Sequence, residues 1–109
     1  MPYDEKLFAR ISCVIEGWKD IEHKKMFGGI CSLIRGNMFC GVYKEFLIIR
    51  LGEDEAKRAM GDDSVLPFDI TGKPMKGWVM VKPEGLAGNA VLRKWIERAR
   101  DFALTLPAK

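Results

Sequence analysis

Gly29-Ile30-Cys31-Ser32-Leu33-Ile34-Arg35-Gly36-Asn37-Met38-Phe39-Cys40-Gly41-Val42-Tyr43 is the stretch whose reading decides the fold. Two β-rich runs, residues 29–35 and 38–43, flank Gly36-Asn37. That dipeptide reads as a tight hairpin turn in which Gly supplies the positive φ. Setting Arg35 opposite Met38 places Leu33 opposite Cys40 and Cys31 opposite Val42. A third run, residues 46–51, follows Lys44-Glu45, which is poor turn chemistry, and its register stays open.

Outside these strands the period changes. Residues 4–18 carry Leu7, Phe8, Ile11, Val14, Ile15 and Trp18 at the i, i+3, i+4, i+7 spacing of an amphipathic helix, with Gly17 near its end. Cys13 falls off that stripe and is the thiol most open to solvent. Gly52-Glu53-Asp54-Glu55 opens a short helix through Met60, its carboxylates at the positive end of the helix dipole. Gly61-Asp62-Asp63-Ser64 then breaks the chain. Residues 68–70 and 78–82 are further strand candidates, with a loop at 72–77 between them. Asn89 is placed to cap a last helix over 90–106, with Leu92, Trp95, Ile96, Ala99, Phe102, Ala103 and Leu106 as its apolar stripe and Pro107 as the stop. The order is helix, strands, helix, strands, helix: one α+β domain over residues 1–109.

At 109 residues, 48% of them hydrophobic and 30% charged, the chain has the composition of an ordinary globular domain. Such a length buries about two thirds of the surface the unfolded chain exposes. No apolar run is long enough for a membrane span. Met1-Pro2-Tyr3-Asp4-Glu5-Lys6 is acidic where a signal peptide needs a basic start, so a cytoplasmic protein is expected. Three cysteines do not make a disulfide framework; Cys31 and Cys40 read as small apolar fillers. With one histidine and no Cys-x-x-Cys, no metal site or cofactor is expected. A net charge of +3 permits an anionic partner without arguing for one.

Several short words stand out: Lys25-Met26-Phe27-Gly28-Gly29, Gly36-Asn37-Met38, Gly41-Val42, Arg50, Thr71-Gly72, Pro74-Met75-Lys76-Gly77-Trp78 and Pro83-Glu84-Gly85-Leu86. In this order and with these gaps the chain resembles the TfoX (Sxy) N-terminal domain family of bacterial competence regulators, over essentially its whole length. The resemblance implies a two-layer sandwich: an antiparallel curved sheet with helices mainly on one face. It also implies a link to transcriptional control of competence genes, where full-length members act with a cyclic-AMP-dependent activator. The chain stops at Lys109, where full-length regulators continue into a C-terminal domain, so a stand-alone domain is expected. Met26, Phe27, Gly28, Gly29, Met75, Gly77 and Trp78 are expected to shape the structure, the glycines by positive φ or close backbone approach.

The candidate sites are few. Gly72-Lys73-Pro74-Met75-Lys76-Gly77 has the ingredients of a phosphate loop, but Pro74 removes an N–H and the loop leads into a strand. Lys24, Lys25, Lys73 and Lys76 form a basic patch if the two signature words meet in space, which makes weak nucleic-acid binding one alternative function; a small-ligand-binding domain is another. Catalysis has thin support: His23 is the only imidazole, and Asp62 and Asp63 sit in a breaker. In the Gly36-Asn37 register, Cys31, Leu33, Met38, Cys40, Val42, Leu47, Ile49 and Leu51 lie under the helices. The opposite face keeps Ile34, Phe39, Phe46, Ile48 and Arg50 as a candidate interaction surface, apolar where a solvated face alternates to polar. The expectation is a non-catalytic regulatory domain that works through protein contact, most simply as a homodimer.

Overall fold

Asp4 begins the first element by accepting hydrogen bonds from the N–H groups of Lys6 and Leu7 at 2.9 and 3.1 Å, which satisfies two donors that helix α1 (Glu5–Ile15) cannot pair internally. The computed structural model describes residues 3–26, 28–68 and 76–107. Six strands follow α1: β1 (Ile21–Met26), β2 (Gly29–Ile34), β3 (Asn37–Tyr43), β4 (Phe46–Arg50), β5 (Val65–Pro67) and β6 (Trp78–Val81). Helix α2 (Glu53–Ala59) lies between β4 and β5. A single 3₁₀ turn at Pro83–Leu86 leads into α3 (Asn89–Ala103). The mixed α+β order is the expected one, with corrections at the boundaries. α1 stops at Ile15 because Gly17 takes φ 85, so Trp18 packs from beyond the helix. α3 is capped by Gly88, while Asn89 accepts a hydrogen bond from Arg10 instead. The strand expected at 68–70 falls at Val65–Pro67; Asp69 and Ile70 lie outside the described residues.

The sheet is antiparallel throughout, in the order β1-β2-β3-β4-β6-β5. Its central hairpin differs from the expected one in two ways. The two-residue turn is Arg35-Gly36, with φ 53 and 82, the paired positive values of a type I′ turn; Ile34 therefore faces Asn37. The register then shifts between Ser32 and Leu33, because Met38 pairs with Leu33 while Cys40 pairs with Ser32. Phe39 is the extra residue of a β-bulge. The result is Ile30 opposite Val42 and Cys31 opposite Gly41, one residue away from the expected pairing on β2, and a one-residue slip moves a strand's side chains to the other face.

Buried helix residues all fall into one core. Leu7, Ile11, Val14 and Ile15 of α1, Ala56 and Ala59 of α2, and Leu92, Trp95, Ile96, Ala99 and Ala103 of α3 pack on Ile30, Ile34, Phe39, Cys40, Val42, Leu47, Ile49, Val79 and Val81 of the sheet. The helices thus cover one face, giving the two-layer arrangement. Each fully buried Ile or Leu contributes on the order of 1.5–3 kcal/mol by leaving water. Arg10 pins α1 to the end of the 3₁₀ turn, its Nη2 donating to the Leu86 carbonyl at 2.6 Å.

Candidate functional site

The other face of the sheet carries a second, smaller core of Ile48, Phe68 and Trp78, with Met38, Tyr43 and Met80 half-buried against it and no helix residue in the cluster. Register explains its make-up: Gly41, Ile48, Met80 and Leu66 pair in one row across β3, β4, β6 and β5, with Cys31 and Lys24 continuing the row through β2 and β1. Phe68 and Trp78 pack ring on ring at 5.8 Å between centroids. Arg50 lays its guanidinium 5.8 Å from the Trp78 centroid and 5.6 Å from that of Phe102.

Of the residues expected to form an exposed interaction surface, Ile34 and Phe39 instead lie in the helix-side core, carried there by the turn position and the bulge. Ile48 is on the helix-free face but fully buried beneath Phe68 and Trp78. Phe46, paired with Tyr43, and Arg50, paired with Trp78, are half-buried. Met38, expected under the helices, is on the helix-free face, again because of the bulge. Among the described residues, the half-exposed apolar side chains there are Met38, Tyr43, Phe46, Leu66 and Met80.

The signature words sit at joints of this sheet. Gly28 has φ 76 and precedes Gly29, which pairs with Met26; a Cβ on Gly29 would stand 3.3 Å from the Val42 carbonyl carbon. Gly77 has φ 83, and its carbonyl accepts from the N–H groups of Leu51 and Gly52 at 2.8 and 3.2 Å, joining β6 to the end of β4. Both positions need a residue without a side chain. The TfoX N-terminal domain family matches residues 14–103. The chain belongs to that family. No curated protein and no solved structure matches it. Membership makes this a competence-regulator-like domain.

Among the described residues, the lysines of the expected basic patch are not brought together. Lys24 and Lys25 are neighbours on β1 and point to opposite faces, Lys24 with Cys31 and Lys25 with Ile30. Lys76 precedes β6, across β2, β3 and β4, on the order of 20 Å away at the usual strand spacing. Phe27, Lys73 and Met75 lie outside the described residues. Lys82, Lys94 and Arg98 instead line an open cleft of 690 Å³ together with Asp62, Asp63 and Glu84, a balanced mixture of charge. Arg98 stacks on Trp95 at 4.8 Å and pairs with Glu55 at 3.1 Å. Asp62 takes the Ser64 N–H and hydroxyl at 2.8 and 2.7 Å, which holds its carboxyl below the usual range.

Cys31 and Cys40 are both free and buried, on opposite faces of the sheet rather than on one, while Cys13 is exposed. Burial pushes the Cys31 thiol up to about 11; burial also raises Cys40, against a hydrogen bond from Ser32. The same Ser32 lies 2.9 Å from Nδ1 of His23, whose ring meets the edge of Phe8. Ser32 is buried at this contact between a hydroxyl and an imidazole. Among the described residues no group of His, Cys, Asp or Glu is placed to hold a metal ion, and no helix is long and apolar enough to cross a membrane.

Proposed function

We propose that this TfoX N-terminal domain is a non-catalytic regulatory module that works in transcriptional control by binding another protein, and that it presents the helix-free face of its sheet. The observation that carries the reading is the distribution of apolar surface. All three helices are committed to one face, while Met38, Tyr43, Phe46, Leu66 and Met80 leave the other half-exposed and apolar. Such a face suits a partner with its own apolar patch. The mixed charge of the large cleft, and the separation of the β1 lysines from Lys76, favour this reading over nucleic-acid binding.

The test is deletion of the coding sequence in its native host, followed by complementation with the wild-type chain, Met80→Lys or Met80→Leu. Transcripts of DNA-uptake genes are the readout, and thermal melts check that each variant folds. Wild type and Met80→Leu are expected to restore the transcript level and Met80→Lys to fail while remaining folded. Transcripts unchanged by the deletion would overturn the regulatory reading. Full rescue by Met80→Lys would overturn the choice of face.

A further inference from the structure

The sheet ends in two unlike edges. β5 is three residues long and contains Pro67, which has no N–H to offer, so it is a poor template for another strand. β1 is six residues long, has no proline, and exposes Glu22, His23, Lys24 and Lys25. Among the described residues its outer row of N–H and C=O groups has no backbone partner.

We propose that the domain self-associates through β1, a second copy laying its own β1 antiparallel alongside about a two-fold axis normal to the sheet. Such an axis keeps each face on its own side, so facing residues must share a face on their own strand. Centred on His23, it sets Glu22 opposite Lys24 of the second copy, and Lys24 opposite Glu22 of the second copy. Glu22 and Lys24 satisfy the requirement: they pair with Leu33 and Cys31 and share the helix-free face. On the helix side Ile21 comes opposite Lys25, whose methylene stem lies along it. Moving the centre to Lys24 sets that lysine against itself, and moving it to Glu22 does the same to the carboxylate. Lysines on an edge by themselves deter pairing; Glu22, two residues from Lys24, makes this edge complementary to its own copy. The pairing would also bring two helix-free faces side by side, a use that rests on the proposed protein contact, although the edge pairing itself does not.

Sedimentation velocity of the full chain over a concentration series tests this, with Glu22→Lys, Lys24→Glu and the double swap. Wild type is expected to form a reversible dimer. Each single reversal should weaken it on the order of tenfold, because the two-fold inverts two equivalent pairs at once. The double swap restores both pairs and should regain wild-type association. The positions are exposed, and thermal melts are the check that each variant folds. A monomer at every concentration, a dimer indifferent to either reversal, or a double swap that stays dissociated would each overturn the proposal. Met80→Lys leaves this edge intact, so failure here and failure of the contact-face reading are separable.

Discussion

Asn37 Nδ2 donates to the Pro107 carbonyl at 3.0 Å, tying the first residue of β3 to a chain segment 70 residues later. Asn37 is almost fully buried, and this bond satisfies an amide that would otherwise be stranded beneath the end of α3.

Asn37→Leu removes the donor and leaves the Pro107 carbonyl facing an apolar side chain. The expected loss is about 1–3 kcal/mol of stability, read as a lowered urea midpoint with an unchanged slope. An unchanged midpoint would show that solvent satisfies both groups equally well.

Gly41 and Gly77 are required for different reasons, and Ala variants should separate them. A Cβ on Gly41 would stand 2.6 Å from the Ile30 carbonyl oxygen and 3.0 Å from Cys31 Sγ, where β2 backbone must give way. Gly41→Ala is expected to cost about 1–3 kcal/mol through overpacking. Gly77→Ala forces a side chain to φ 83 and should cost about 1–2 kcal/mol. Equilibrium unfolding measures both; a neutral Gly41→Ala would contradict the pairing of Cys31 with Gly41.

Thiol chemistry has a pH signature. The native state holds the Cys31 proton up to about 11, whereas an exposed thiol gives it up near 9.0. The unfolded chain therefore loses protons first, so stability is full below pH 9 and falls as pH rises from about 9 to about 11. Melting temperature against pH should show that decline, and Cys31→Ala should make it shallower. In the folded protein near neutral pH, thiol labelling is expected to reach Cys13 first and to spare Cys31 and Cys40.

A gel shift with duplex DNA over a salt series should show no steep fall in affinity with salt. Lys24, Lys25 and Lys76 are spread over two faces and across the sheet, so few phosphates can be neutralised together. A slope corresponding to several phosphate contacts would restore the nucleic-acid reading.

Local patterns carried much of this fold. The apolar spacing of α1 and α3, the runs that became β2, β3 and β4, the exposure of Cys13 and the Gly-rich family words were all legible in the residues. β1 was legible only in part: strand character begins at Glu22, but Glu22, His23, Lys24 and Lys25 are polar on both faces, so no alternation marked a separate edge strand. The bulge at Phe39 was also hidden. Nothing between Asn37 and Cys40 marks an extra residue, and the cause is distant: Phe39 packs in the helix-side core, 6.4 Å from the Trp18 ring on which Arg100 stacks.

The sequence by itself determined the helices, the central strands and the family they belong to, because periodicity, turn residues and glycine words act over a few neighbouring positions. Only the tertiary structure decided which face each strand residue meets. Arg35-Gly36 and Gly36-Asn37 are both workable turns. The choice was made by burying Asn37 against Pro107 and Phe39 under the helices, and one residue of slip on β2 exchanged Cys31 and Leu33 for Ile30 and Ile34. The same non-local pairing put Lys24 on the helix-free face and Lys25 on the helix side, and brought Phe68 over Ile48, so what the sheet presents to a partner was a consequence of packing.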